Sequence, residues 1–295
     1  MVAPLICGLI LIAPKANATA GVVLTITPTS VQPLINPGAT FSGSFQVINQ
    51  GSDTYSVIIY GAPYSVKTEN YSPDFVAIPG QPNVSDWFKF SIVQATIQPT
   101  QSQTVNYTIS VPSGTQPGGY YAAAFAETQS PPNASGVIIK ERVGEIFYIR
   151  VAGAVPQSGK LLTWSVPFWQ TPPITSTIRL EDSGGYNYAS NVQVVVRDIF
   201  GNPKYTLTTL KEVLPHTIRR IIVSWPQSPS LGLFKVTGYV SILGKNQTLS
   251  TKYVLVMSST VKKVTLIVVI AIIIVVILTF IIRRKRQPKR PTIKK

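Results

Sequence analysis

Apolar and polar residues alternate with a period of two through most of the chain between residues 21 and 258. From Val105 to Val111 the odd positions are apolar and the even positions are polar, and similar alternation occurs around Phe45 and Val236. Such alternation is typical of a strand with one face in a core and the other in water. The pattern predicts an all-β fold of antiparallel sheets. Turn-forming groups separate the stretches at the spacing of a β-sandwich: Asn36-Pro37-Gly38, Gln50-Gly51, Pro117-Gly118-Gly119, Ser183-Gly184-Gly185 and Gly201-Asn202-Pro203.

This strand-and-turn pattern occurs twice, in the same order. We therefore predict two immunoglobulin-like antiparallel β-sandwich domains, at residues 21–153 and 160–258, joined by the linker Gly153 to Gly159. A β-barrel or one large sandwich is the alternative. The matching segments are residues 47–59 with 178–196, 98–112 with 213–226, and 117–126 with 231–240.

Residues 264–282 are nineteen consecutive residues without charge, proline or glycine. A helix of that length is about 28 Å long, close to the roughly 30 Å hydrocarbon core of a bilayer. A helix also satisfies its own backbone hydrogen bonds in lipid. The stretch therefore predicts one transmembrane helix and a membrane-anchored protein.

Basic residues are concentrated after this helix, in a predicted cytoplasmic tail at residues 283–295. Only Lys262 and Lys263 directly precede the helix. The positive-inside rule predicts a cytoplasmic C-terminus at the plasma membrane, with the sandwiches outside the cell. The residues expected to stop transfer and to contact anionic lipid are Arg283, Arg284, Lys285 and Arg286.

The first twenty residues are predicted to be a secretory signal peptide. An apolar stretch from Leu5 to Ala13 precedes the small-x-small triplets Ala16-Asn17-Ala18 and Ala18-Thr19-Ala20. No basic residue precedes the apolar stretch, so an uncleaved anchor is the alternative. The only cysteine, Cys7, lies in this segment, and the mature chain would have neither disulfides nor thiolate metal sites.

The net charge of +15 does not indicate a nucleic-acid-binding face. Ten of the 26 basic residues lie from Lys262 onward and one, Lys15, lies in the signal peptide. The rest of the chain has 15 basic residues against 11 acidic ones, which is nearly balanced. The charge therefore belongs to the tail, and nucleic acid is not expected as a partner.

Groups that could perform catalysis or hold a cofactor are scarce, and we predict a protein without enzymatic activity, metal or cofactor. The only histidine, His216, is interpreted as a turn residue, and no nucleophile motif or metal motif accompanies it. Glu141 and Glu145 would lie about 13 Å apart on a strand, farther than glycosidase carboxylates, and are interpreted as exposed charges. Glu181 and Asp182 precede a glycine turn, where acidic side chains accept hydrogen bonds from backbone amides.

Exposed aromatic rings are the remaining candidates for ligand binding, because sugars stack on flat rings. Trp87, Phe88 and Phe90 lie in strand-like segments and are interpreted as core residues. The candidate ligand-binding rings lie in segments rich in proline or glycine: Tyr64, Tyr71, Trp169, Tyr186 and Tyr188.

Several segments of the first half resemble the WxL-interacting protein family of bacterial cell-wall surface proteins. They are INPGATFSGSFQVINQGSDTYSVIIY (35–60), PTQSQTVNYTISVP (99–112), PGGYYAAAFAE (117–127) and GVIIKERVGEIFYIRV (136–151), in which Arg142 matches an arginine of the family. The resemblance implies a sandwich that attaches to peptidoglycan or to a partner surface protein, followed by a second sandwich and a membrane helix with a basic tail. FGNPKY and VLPHTIRRIIVSW in the second half match only loosely.

The sequence supports three functional hypotheses. The first is a non-enzymatic surface protein that binds cell-wall glycan or another surface protein through its sandwiches. The second is an accessory or chaperone subunit for surface-protein assembly, which would bind its client by strand addition at a sheet edge. The third is an envelope hydrolase that uses Glu141, Glu145 or Asp182.

Overall fold

The computed structural model describes residues 23–129 and 140–285, so the predicted signal peptide lies outside the described residues. The described chain forms two compact units. The predicted first domain differs from the first unit at two short segments, which group with the second unit. The first unit comprises the chain up to Ser65, Phe75–Thr115 and Tyr120–Val151, and the second comprises Val66–Asp74, Gln116–Gly119 and the chain from Ala152 onward.

Two sheets form the first unit, one in the order β1-β4-β10-β8 and one in the order β2-β12-β11-β5-β9. The pairs are antiparallel except that β2 and β3 pair in parallel with β12. The strands up to the end of this unit are β1 (Leu24–Thr27), β2 (Ser30–Val31), β3 (Leu34–Ile35), β4 (Thr40–Asn49), β5 (Tyr55–Pro63), β6 (Ser65–Val66), β7 (Pro73–Asp74), β8 (Phe88–Phe90), β9 (Gln94–Ile97), β10 (Ser102–Ser110), β11 (Gly118–Thr128) and β12 (Arg142–Val151). A 3₁₀ helix, Val84–Trp87, precedes β8, and β6 pairs with β7.

The second unit has sheets in the orders β13-β15-β18 and β14-β20-β19-β16-β17. Its pairs are antiparallel except that β14 is parallel to β20. Its strands are β13 (Gly159–Ser165), β14 (Trp169–Gln170), β15 (Ile174–Asp182), β16 (Tyr188–Asp198), β17 (Pro203–Val213), β18 (Thr217–Trp225), β19 (Leu231–Ile242) and β20 (Lys245–Met257).

The two units share one strand order, because the segments that repeat in the sequence take equivalent positions. The turn from β4 to β5 corresponds to the turn from β15 to β16, β10 corresponds to β18, and β11 corresponds to β19. In each unit the first strand pairs antiparallel with the next long strand, β1 with β4 and β13 with β15. A short strand between those two pairs in parallel at the edge of the other sheet, β2 with β12 and β14 with β20. The prediction of an all-β fold with two immunoglobulin-like antiparallel sandwiches is confirmed.

Each sandwich has its own hydrophobic core, built from the residues that alternate toward it. Val105, Tyr107 and Ile109 of β10 are buried in the first core, together with the predicted core residue Trp87. Phe88 and Phe90 are half-buried and pack against that core. In the second core the buried strand positions are mostly valine and isoleucine, whose branched side chains fill the space between two pleated sheets.

The chain leaves the second unit through a long helix, α1 (Ser259–Lys285), separated from β20 by Ser258 alone. The stretch Ser259–Arg283 is long and apolar enough to cross a membrane, and its apolar side chains are exposed around the whole helix. The predicted span at residues 264–282 lies inside it. Of the predicted stop-transfer residues, Arg283, Arg284 and Lys285 belong to the last turn of α1, whereas Arg286 lies outside the described residues.

Candidate functional sites

The five-stranded sheet of the second unit ends at a long edge strand. β17 pairs with β16 on one side, and no strand in the part of the chain that the structure describes pairs with its other side. An edge strand directs alternate N–H and C=O groups away from its sheet, where they are open to another strand. β17 therefore offers eleven residues of backbone as a template for pairing.

The middle of β17 lacks the features that usually prevent pairing. The edge segment, Tyr205–Leu210, contains no charge, proline or glycine and extends over roughly 20 Å. Charged residues of β17 lie on either side of it, at Lys204 and at Lys211 and Glu212, and the register shift of this strand also lies before it, at Lys204. Natural edge strands are commonly blocked by lysine, proline or bulges, so this uncharged segment is unusual.

The other edges of the described chain are shorter or partly occupied. β1, β8 and β9 have four, three and four residues, and β13 is interrupted by a register shift between Leu161 and Thr163. β18 is nine residues long, but the N–H of Arg220 donates to the carbonyl of Glu69. β17 is therefore the longest edge among the described strands, and its register with β16 is regular from Tyr205 to Val213, after one shift at Lys204.

One face of the edge segment is held in the core of the second unit. Tyr205 stacks on Trp225 with ring centroids 5.9 Å apart, and Trp225 meets Phe234 edge to face at 5.5 Å. Leu207 also packs against the core. On the other face Thr206, Thr208 and Leu210 are exposed. The packed rings hold the edge in place, so an added strand would meet a preformed template.

A second candidate site lies on the outer face of the larger sheet of the first unit. The guanidinium of Arg142 lies 4.3 Å from the ring centre of Phe125 and 5.3 Å from that of Phe75, and donates to the hydroxyl of Tyr60. That hydroxyl donates in turn to Glu127, at 2.7 Å. We call Arg142, Phe75, Phe125, Tyr60 and Glu127 the arginine–aromatic cluster.

The cluster depends on a glycine in β12. A Cβ added to Gly144 would lie 2.6 Å from the ring of Phe125, so the absence of a side chain makes room for that ring. Burial raises the pKa of Tyr60, which therefore stays a neutral hydroxyl between Arg142 and Glu127. Arg142 thus lies in an ordered stack of rings, and its predicted match to an arginine of the WxL-interacting family stays a prediction.

Glu145 is buried, and the prediction of an exposed charge is wrong for this residue. It lies on the same, core-facing side of β12 as Phe147 and Ile149 and has no exposed surface. Neither carboxyl oxygen has a hydrogen-bond partner among the described residues, and burial raises the pKa of Glu145 to about 8. Glu141 instead lies directly before β12, where its Oε1 accepts a hydrogen bond from the N–H of Leu24. The two glutamates therefore have different environments and form no catalytic pair.

Three of the five predicted ligand-binding rings are buried, so the expected exposure is wrong for Tyr64, Tyr71 and Tyr188. Tyr64 packs against Phe75 on the outer face of the first unit. Tyr188 lies in the second core and donates a hydrogen bond to the carbonyl of Glu181.

The two remaining rings differ in exposure. Tyr186 is half-buried and donates to the carbonyl of Gly153, whereas Trp169 is largely exposed beside Phe168. The structure does not bring the five predicted rings together in one exposed group.

Tyr71 belongs to a segment, Val66–Asp74, that three arginines hold within the second unit. Arg179 binds both carboxylate oxygens of Glu69, which lowers the pKa of that carboxyl. Arg219 lies over the ring of Tyr71 at 4.1 Å, and Arg220 donates to the side-chain oxygen of Asn70. The hydroxyl of Tyr71 accepts from the N–H of Leu214 at 2.8 Å. These contacts within the second unit account for the burial of Tyr71.

The acidic residues near the second glycine turn have structural partners. Asp182 is buried and accepts a hydrogen bond from the N–H of Gly184 at 2.7 Å, as predicted for a turn. Burial raises its pKa to about 6, although that hydrogen bond and the nearby His216 act in the opposite direction. His216 lies in the turn between β17 and β18. No group of three or more His, Cys, Asp or Glu residues that could hold a metal ion occurs within residues 23–129 and 140–285.

No family model matches the chain, and no curated protein matches it. Among solved structures, the class 5 fimbriae chaperone CfaA is 12% identical over 80% of this chain and 99% of that chain, with a TM-score of 0.39. A structure of the Salmonella enterica SafA pilin in complex with the SafB chaperone contains a chain that is 11% identical over 81% of this chain and 98% of that chain, with a TM-score of 0.40. A PapD-like domain of human CEP192 is 18% identical over 51% of this chain and 99% of that chain, with a TM-score of 0.32. Similarity at this level does not identify a function.

Proposed function

We propose that this chain is a non-enzymatic, membrane-anchored protein that binds an extended segment of a protein partner by adding it as a strand to β17. The observation that supports this proposal is the unpaired, uncharged edge segment Tyr205–Leu210. In strand addition, main-chain hydrogen bonds supply affinity, and side-chain contacts on alternate positions supply specificity. The partner segment would lie beside the exposed Thr206, Thr208 and Leu210, so it would be uncharged and rich in β-branched residues.

This proposal corresponds to the hypothesis of an accessory or chaperone subunit for surface-protein assembly. Binding of cell-wall glycan has less support, because three of its five candidate rings are buried. A hydrolase also has less support, because Glu145 lies in an apolar core and Asp182 is engaged by a turn amide.

The proposed location follows from the basic tail. α1 would cross the plasma membrane once, with both sandwiches outside the cell and residues 283–295 in the cytoplasm. This orientation would make the β17 edge accessible to other surface or secreted proteins.

Two adjacent proline substitutions test strand addition. Backbone N–H groups alternate between β16 and the open side, so one of Thr208→Pro and Thr209→Pro removes a bond to β16 and the other removes an outward donor. We expect the substitution that removes a bond to β16 to cost about 1–3 kcal/mol of stability, because a carbonyl of β16 loses its partner. We expect the substitution that removes an outward donor to leave folding unchanged and to abolish binding of the partner.

Partner binding is measured with a photo-reactive amino acid at Leu210 of the full chain in membranes of the native host, with Leu243 as a matched exposed control. We expect a discrete cross-linked adduct from position 210 but not from position 243, and its loss in the normally folded proline variant. An adduct that survives in that variant, or equal adducts from both positions, would contradict strand addition at β17.

A further inference from the structure

Several turns of the second unit lie at the same end of its five-stranded sheet as the start of α1. β20 ends at Met257, which pairs with Leu231 at the start of β19. Asp198, at the end of β16, pairs with Phe234, and Trp169 pairs in parallel with Leu255. We call this the helix-proximal end. It contains β14, the start of β19 and the hairpin between β16 and β17.

Large apolar side chains are exposed at the helix-proximal end. Phe200 and Ile199, at the tip of the β16–β17 hairpin, are 83% and 61% exposed, and Trp169 is 63% exposed. Phe168 and Leu231 are also exposed there. The opposite end of the same sheet, at the β19–β20 hairpin, has Leu243 followed by Gly244, Lys245 and Asn246. The exposed apolar residues are thus more numerous at one end.

The hairpin tip is ordered by its own hydrogen bonds. One carboxylate oxygen of Asp198 accepts from the N–H groups of Phe200 and Asn202, each at 2.9 Å, and Lys204 forms an ion pair with the other oxygen. Arg197 donates to the carbonyl of Gly201, whose φ of +93° suits glycine. This fixed turn therefore holds the ring of Phe200 outward, where it packs against no core among the described residues.

The short connection to α1 limits how far this end can lie from lipid. Only Ser258 separates β20 from α1, and the helix rises about 8 Å from Ser259 to Val264, where the uncharged stretch begins. A headgroup layer is about 5–8 Å thick on each side of the hydrocarbon core. Aromatic rings are favoured at this depth.

We propose that the helix-proximal end of the second unit rests in the headgroup layer of the bilayer that α1 spans, with Ile199, Phe200 and Trp169 inserted into lipid. The proposal requires that α1 crosses the membrane, which is part of the proposed function. The second sandwich would then have two contacts with one membrane surface, through the helix and through the hairpin tip.

The test uses the full chain, with Cys7 replaced by Ser, in nanodiscs of phosphatidylcholine and phosphatidylglycerol. Single cysteines that carry an environment-sensitive fluorophore are placed at Phe200 and, as the matched control, at Leu243. Lipids with a nitroxide at the headgroup–acyl boundary quench only fluorophores near that depth. We expect quenching at position 200 to be at least fivefold stronger than at position 243.

A third fluorophore, at Ile273 in the middle of α1, separates the two proposals. If position 273 lies in lipid while positions 200 and 243 are quenched equally weakly, the hairpin contact is wrong and the membrane anchor remains. If position 273 is in water, both fail. Strong quenching at position 200 that disappears in a chain with Ile199→Ser and Trp169→Ser would support insertion of Ile199 and Trp169 together with the hairpin tip.

Discussion

Glu145 places a carboxyl group in the apolar core of the first sandwich. Glu145 occupies a core position of β12 between half-buried Val143 and buried Phe147. An ionised carboxylate without partners would be costly there, so the side chain is held in its neutral form. Its nearness also contributes to the raised pKa of Tyr107, about 12, for which burial is the larger cause.

We expect the free energy of unfolding of the first unit to fall as the pH rises from about 4.5 to about 8. The pKa of Glu145 is 4.5 in an unfolded chain and about 8 when folded, so the folded state binds more protons in this window. The effect is on the order of 3 kcal/mol between pH 4 and pH 7. Glu145→Gln keeps the shape without the titration and should remove this component.

The measurement is hydrogen exchange of the β12 amides in the full chain at several pH values, corrected for intrinsic exchange. The exchange rates are compared between the unchanged protein and the Glu145→Gln variant. Asp182, whose pKa is also raised, is present in both chains and cancels. An identical pH dependence with and without Glu145 would show that the carboxyl is not the source.

At the scale of elements, the outer face of β12 depends on close approach between a glycine and a ring. Gly144→Ala would place a methyl group 2.6 Å from Phe125 and displace the ring from Arg142. We expect a loss of about 1–3 kcal/mol of stability. The matched control is Gly114→Ala, where nothing lies within 4 Å of the added atom. The stability of both variants is measured by thermal unfolding of the full chain. Equal unfolding midpoints for Gly144→Ala and Gly114→Ala would mean that the ring of Phe125 moves aside freely.

Element types were predictable from alternation, whereas the site was not. Val105, Tyr107 and Ile109 point inward as their period of two requires. The same rule also places Glu145 inward, but the usual preference of glutamate for water led to the wrong interpretation. Burial of Tyr71 depends on Arg219 and Leu214, far away in sequence, so a local loop composition could not reveal it. The free edge of β17 follows from the order of strands in the sheet, which the sequence does not specify.

At the scale of the molecule, the described residues combine two sandwiches with one long helix, and the orientation of the chain in the membrane can be tested by labelling. We expect a cysteine in place of Leu243 to react with a membrane-impermeant maleimide on intact cells, because the sandwiches would lie outside. A cysteine in place of Ile293 should react only after permeabilisation. Labelling of position 293 on intact cells would contradict the proposed topology.

The single-residue joint between β20 and α1 would also restrict where the proposed partner binds. The joint is ordered, because the N–H of Ser258 donates to Ser230 and its hydroxyl accepts from Val261. β17 begins at the same end of the sheet, so a tether this short would keep its roughly 20 Å edge segment near the bilayer. A partner that is itself confined to the membrane surface would encounter that edge at a high effective concentration, so even a weak strand contact would give a large bound fraction.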